Sequence, residues 1–343
     1  MKQFIYMGAQ MPQTRDSVLD IMKGIAMMFV IMAHTNFPWE SYHTFANLRS
    51  VLFFVISGYF AKDWLMLDYL RLGVKRIFFP IVFTSVLMLL FVFVLDEIFD
   101  TKAFNVALKS VLLGTSSYPS VPCEMYIISD GPLWFLWATI FVRFFWILLK
   151  NLISNEIVRG GLIFTMAIAI SYTKQFYTMP FSIQAAFGAL GFFYAGYLCR
   201  KYDFLNSDVG KRIFPFFAIC LVYCVGCSNI DINLCVYDAF YVIDLLGAVA
   251  AFYCVYAVVK KYNTDSKFWN ALNYLGRNSL IALCIHAIDQ NILVYWFPVK
   301  IWSYFDGNFQ MVCVYLIRVL WVFLGIYFIL KFRLIREKIF FIK

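Results

Sequence analysis

An all-α bundle of membrane-crossing helices, about ten spans with both termini in the cytoplasm, is the fold this sequence predicts. Three observations predict it. The chain is 63% hydrophobic and only 14% charged, whereas soluble domains carry about 25% charged residues. Apolar runs recur from end to end, each near the ~20 residues a helix needs to cross a bilayer. The basic residues sort by side. Of 29 lysines and arginines, 21 fall in segments predicted to be internal and five in external ones, while Lys23, Arg143 and Arg318 lie within spans. Such a bias marks the cytoplasmic connections. The net charge of +9 therefore reflects membrane orientation, and no soluble basic face offers itself to nucleic acid.

The spans are expected at about 18–36, 46–64, 76–97, 132–150, 157–174, 181–200, 212–228, 236–259, 277–297 and 310–331. They form one integral-membrane domain over residues 1–343. Residues 1–17 read as a polar cytoplasmic segment without the apolar core and cleavage site of a signal peptide, so the first span is expected to act as its own insertion signal. The long external connection at about 98–131, with Pro119, Pro122 and several serines, exceeds a simple link between packed helices and suggests a lid or part of a binding site. The nine cysteines are scattered. No His/Cys spacing points to a metal, and Cys227 and Cys235 flank a short loop where they could pair.

Ionisable residues inside spans are functional-site hypotheses by default. In the first span, Lys23-Gly-Ile-Ala-Met-Met-Phe-Val-Ile-Met-Ala-His34, eleven helical residues turn through about 1100° and rise about 16 Å. Lys23 and His34 therefore share a face, and Asp20 joins them three residues earlier. A neutral imidazole there is suited to accept a proton from a hydroxyl. His286 in the ninth span has Asp289 three residues on, either to orient the ring or as helix-packing polar glue. His43, the third histidine, falls in a predicted external loop.

Other segments are weaker signals. In Phe53-Phe54-Val-Ile-Ser57-Gly58-Tyr59-Phe60, Ser57 and Gly58 are small enough for a helix or a ligand to approach closely. No nucleophile-elbow pattern surrounds Ser57. Arg71, Lys75 and Arg76 before Pro80 read either as topology and headgroup contacts or as a phosphate clamp. In Ser129-Asp130-Gly131-Pro132-Leu-Trp134, Asp130 reads as a helix cap and Trp134 as an interfacial belt residue. An acidic acceptor beside an aromatic platform would equally suit a sugar.

In this order, the chain resembles the acyltransferase 3 family of multipass membrane acyltransferases, in particular its branch of fucose 4-O-acetylase-like and related O-acetyltransferases. The resemblance rests on Asp20 and Lys23-x10-His34, Phe53-Phe54-x-x-Ser57-Gly58-Tyr59, Arg71 and Arg76 before Pro80, Leu133-Trp134-Phe135-Leu136, and Gly276-x-Asn278-Ser279 leading to His286. The family commonly has arginine where Lys23 stands, and lysine offers a point charge rather than a bidentate fork.

The resemblance implies transfer of an acyl group, usually acetyl, from cytoplasmic acyl-CoA to a hydroxyl of a carbohydrate or lipid-linked sugar, with no tightly bound cofactor. His34, Asp20, Lys23 and His286 would be catalytic. Arg71 and Arg76 would hold the CoA phosphates, and Ser57, Gly58, Tyr59, Asp130, Trp134, Asn278 and Asp289 would line the substrate path. The predicted location is the bacterial cytoplasmic membrane. Intramembrane His, Asp and Lys would also suit a proton-coupled transporter or flippase for a polar or lipid-linked solute. A pocket joining the Arg71/Arg76 mouth to His34, with His286 on its wall, is expected of the enzyme.

Overall fold

The structure, a computed structural model, describes residues 16–35, 39–99, 104–114, 131–172, 179–227, 230–237, 240–296 and 307–342. Helix α1 (Ser17–Ala33) is followed by α2 (Trp39–Tyr59). A short α3 (Met66–Asp68) then runs through a π-turn at Tyr69–Gly73 into α4 (Lys75–Phe99). Next come α5 (Phe104–Leu113), α6 (Trp134–Leu152), α7 (Glu156–Ser171), α8 (Ile183–Lys201) and α9 (Asp208–Cys227). After them lie α10 (Tyr241–Tyr262), α11 (Lys267–Arg277), α12 (Ser279–Trp296) and α13 (Gly307–Lys331). Among the described residues the bundle is all-α apart from two-residue strands β1 (Ile230–Asp231) and β2 (Val236–Tyr237), paired antiparallel between α9 and α10.

Among the described residues, six helical stretches are long and apolar enough to cross a membrane: Met66–Ile98, Gly131–Leu152, Pro180–Lys201, Asp208–Gly226, Tyr241–Tyr262 and Met311–Lys331. The other four expected spans coincide with helices whose apolar stretch is shorter or less apolar, namely α1, α2, α7 and α12. Along α13, Leu316, Leu320, Leu324 and Phe328 are exposed at four-residue spacing. That spacing makes one outward stripe, and a contiguous apolar face of this kind belongs against lipid.

Two departures have clear causes. Residue 43, expected in a loop, lies on α2, because the helix starts at Trp39 and ends at Tyr59. The connection after α10, expected as a plain cytoplasmic loop, folds into the amphipathic α11. Ser266 caps α11 by accepting from Trp269 N, and the helix buries Leu272, Leu275 and Gly276 while exposing Lys267 and Arg277. Residues 115–130 of the predicted external connection, Asp130 included, lie outside the described residues, as does the side chain of Cys227. Cys235 is a buried free thiol whose Sγ donates to Ile232 O, so its pairing with Cys227 is not formed.

Helix α1 is the hub, packing on α2, α10, α11, α12 and α13. Its approach to α11 depends on glycine at two points. A Cβ on Gly24 would overlap Leu272 O, and one on Gly276 would overlap Asp20 O. Small residues let helix backbones touch in a membrane bundle, and here they fix the Asp20–Lys23 turn of α1. The crossing of α2 and α8 works likewise, with Gly58 against Phe193 O and Gly196 against Val55 O.

Candidate active site

The two ends of α1 open onto different cavities. Near its start, a cavity of about 870 Å³ is walled by α1, α2, α4, α6, α8 and α12. Asp16, which caps α1 by accepting from Val18 N at 2.9 Å, lies at its edge. Five cationic side chains line the cavity, Lys23, Lys62, Arg76, Arg143 and Arg200, against the two carboxylates of Asp16 and Asp20. Buried Asp20 pairs with Lys23 at 3.0 Å, and the Lys23 ammonium also sits 4.9 Å above the Phe60 ring.

The placement of these cations follows from the helices that carry them. Arg76 lies in the first turn of α4, Arg200 in the last turn of α8, and Lys62 just beyond α2. They gather at one end of the bundle. Arg143 stands mid-way along α6 and reaches into the deeper part, where its Nη2 donates to Ser57 Oγ at 3.2 Å. A predominantly cationic cavity of this volume is chemically matched to a polyanionic ligand with an extended arm.

At the far end of α1, a cavity of about 160 Å³ is lined by His34, Arg49, Ser50, Trp134, Asp231 and Asn233 together with apolar neighbours. His34 occupies the C-cap of α1. Its carbonyl, one of those a helix end leaves unsatisfied, accepts from Arg318 Nη1 of α13. The guanidinium also lies 3.7 Å from Asp289 Oδ2. Asp289 in turn meets His286 Nδ1 at 3.2 Å, and the His286 and His34 rings stand 5.3 Å apart, centre to centre. His34, His286, Asp289 and Arg318 thus form one polar cluster, the last three buried and His34 half-buried at the cavity edge. His286 Nε2 has no hydrogen-bond partner among the described residues.

The expected residues divide between these places. Asp20, Lys23, Ser57, Tyr59 and Arg76 line the large cavity; His34 and Trp134 line the small one. His286 and Asp289 are wholly buried behind His34 and line neither. Gly58 is spent on the α2–α8 crossing. Asn278 closes α11, its Nδ2 donating to Tyr274 O at 2.8 Å. Arg71 is exposed on the π-turn and outside both linings. The single joined pocket expected between the basic mouth and His34 is instead two cavities sharing Phe53, Phe135 and Leu283.

Arg143, Arg318, Arg49, Asp231 and Asn233 were not singled out by sequence motifs. For Arg143 and Arg318 a signal existed, since each is a lone guanidinium in an apolar span. For Asp231 and Asn233 nothing in the local sequence places the hairpin beside the His34 cavity.

The family model described as an acyltransferase domain matches residues 16–331, nearly the whole chain. No curated protein matches it.

Proposed function

The chain belongs to the acyltransferase 3 family, and from that premise we propose that it is a membrane O-acyltransferase working across the bilayer. It moves an acyl group, acetyl in the simplest case, from acyl-CoA to a hydroxyl of a carbohydrate or lipid-linked sugar. The observation that carries this reading is the pair of adjoining cavities at opposite ends of α1, one rich in cations and one holding His34. The basic-residue bias puts the cationic mouth in the cytoplasm. There Lys62, Arg76 and Arg200 receive the phosphates of CoA, Arg76 and Arg200 as forks, and Arg143 and Ser57 meet the arm that extends inward. The acceptor enters the opposite cavity between Trp134, Arg49, Asp231 and Asn233, an aromatic platform with polar partners.

His34 lines the acceptor cavity, across the shared wall of Phe53, Phe135 and Leu283 from the donor. It takes the proton of the acceptor hydroxyl as that oxygen attacks the thioester carbonyl. The C–S bond breaks, the electron pair leaves on the CoA sulfur, and the thiolate recovers the proton. His286 is a positioning residue, held by Asp289 and Arg318 against the His34 ring. Asp20 acts at a distance, holding Lys23 in the donor cavity.

The test is acyl transfer by the purified protein in lipid, followed as CoA thiol release and acyl-product mass. Comparing surface glycans with and without the protein identifies the acceptor. Solute flux without thiol release would replace this reading by transport.

A further inference from the structure

Phe53 of α2, Phe135 of α6 and Leu283 of α12 are the three side chains that line both cavities. The two phenylalanines face each other with ring centres 5.5 Å apart. Behind them, fully buried Phe54 stands 4.7 Å from Phe135, so the Phe135 ring is backed by packed atoms. Leu283 is 5% exposed. Phe53 and Phe135 also pack against both of the two larger hydrophobic clusters of the bundle core. The rest of the small cavity's lining includes the polar side chains of His34, Arg49, Ser50, Asp231 and Asn233, whereas this wall is wholly apolar.

We propose that Phe53, Phe135 and Leu283 form an acyl sieve that sets the length of the transferred group and keeps water in one cavity from the other. The proposal rests on the acyl-transfer reading and specifies its donor. A thioester presented from the cationic cavity meets His34 only by passing this wall. An acetyl group adds one methyl beyond the carbonyl, whereas a hexanoyl chain must displace at least one ring from a site backed by Phe54. The sieve therefore selects donors of two or three carbons. One methylene too many in a tight apolar site is worth about 10–200-fold in discrimination.

The test compares acetyl-, butyryl- and hexanoyl-CoA as donors for the wild-type protein and for Phe53→Ala, Phe135→Ala, Phe53→Leu and Phe54→Ala in lipid nanodiscs. Wild type should prefer acetyl-CoA over hexanoyl-CoA by more than about tenfold. Phe53→Ala and Phe135→Ala should raise the hexanoyl-to-acetyl ratio by about tenfold or more and increase acyl-CoA hydrolysis without acceptor. Phe53→Leu should shift the ratio in the same direction by less, and serves where the alanine variants fail to fold. Phe54→Ala, which lines neither cavity but removes the support of the Phe135 ring, should lower thermal stability and raise the ratio by less than Phe135→Ala. Wild type using hexanoyl-CoA as well as acetyl-CoA, or folded Phe53 and Phe135 variants with the wild-type ratio, would overturn the sieve while leaving acyl transfer intact. No transfer from any donor by wild type would overturn both.

Discussion

The large cavity at the start of α1 and the small one at its end are built on the same helix, yet they differ in charge, size and rigidity. The first is broad and cationic, edged by helix termini whose long side chains reach in from α4 and α8. The second is small and bordered by a cluster in which Asp289 links His286 to Arg318 and Arg318 in turn holds the His34 carbonyl. Binding a flexible polyanion needs many charges loosely placed. Proton transfer needs one imidazole held still, because small errors of placement forfeit most of the benefit of proximity. On the proposed reading, the contrast separates recognition from chemistry along one helix.

The sharpest way to break that separation is His34→Ala. Loss of a positioned proton acceptor should lower the turnover rate by about 10²–10⁴ while leaving the KM for acyl-CoA near the wild-type value, because His34 touches only the small cavity. Steady-state kinetics with the donor varied reads both. A variant within a few-fold of wild type would remove His34 from the chemistry.

The reciprocal change is Arg143→Met. It deletes the deepest cation of the donor cavity and its hydrogen bond to Ser57. Hydrogen bonds to charged groups are worth about 1.5–3 kcal/mol, so the KM for acyl-CoA should rise about 10- to 100-fold with a smaller change in turnover. Equal loss of binding in the ground and transition states has this signature. A fall in turnover at unchanged KM would place Arg143 in the chemical step.

Gly276→Ala probes what keeps the two ends of α1 in place. The added methyl has no room beside Asp20 O, and overpacking of this sort costs about 1–3 kcal/mol. The expected result is a lower Tm with both KM and turnover affected, since α11 supports the Asp20–Lys23 turn. A wild-type Tm would mean that the α1–α11 contact yields easily.

Much of this was legible in the sequence because membrane physics simplifies it. Apolar runs near span length and the Asp20, Lys23 and His34 stripe required only the helical period, and the helices fall where the runs do. The division of the stripe between two cavities was not legible, because it depends on Phe53 and Phe135 meeting across helices 82 positions apart in sequence. Nor was the role of Gly58 and Gly276: a glycine beside a polar motif reads as a ligand approach or a packing contact until the facing backbone is known. Arg318 reaches the site only because α13 returns to α1, a tertiary fact without a local signature. Amphipathic α11 was overlooked because its basic ends match the pattern of a cytoplasmic loop.

The smallest expected effect gives the finest test of the donor cavity's outline. Arg71 and Arg76 belong to one basic motif just after Tyr69. Its ring is buried, 1% exposed, with the hydroxyl donating to Ile140 O of α6 at 2.7 Å. Gly73 leaves the room that ring occupies. Arg71 sits on the π-turn that starts at Tyr69 and Arg76 beyond it in the first turn of α4; both are exposed, but only Arg76 lines the cavity. Arg76→Ala should therefore raise the KM for acyl-CoA about tenfold, by loss of a charge-assisted contact. Arg71→Ala should leave it within about twofold of wild type, because an exposed cation outside the cavity acts only through screened, long-range attraction. That residual should vanish in high salt, whereas the Arg76 effect should persist. Equal effects from the two arginines would extend the donor site onto the exposed side of the π-turn and redraw the boundary between the cavity and the membrane surface.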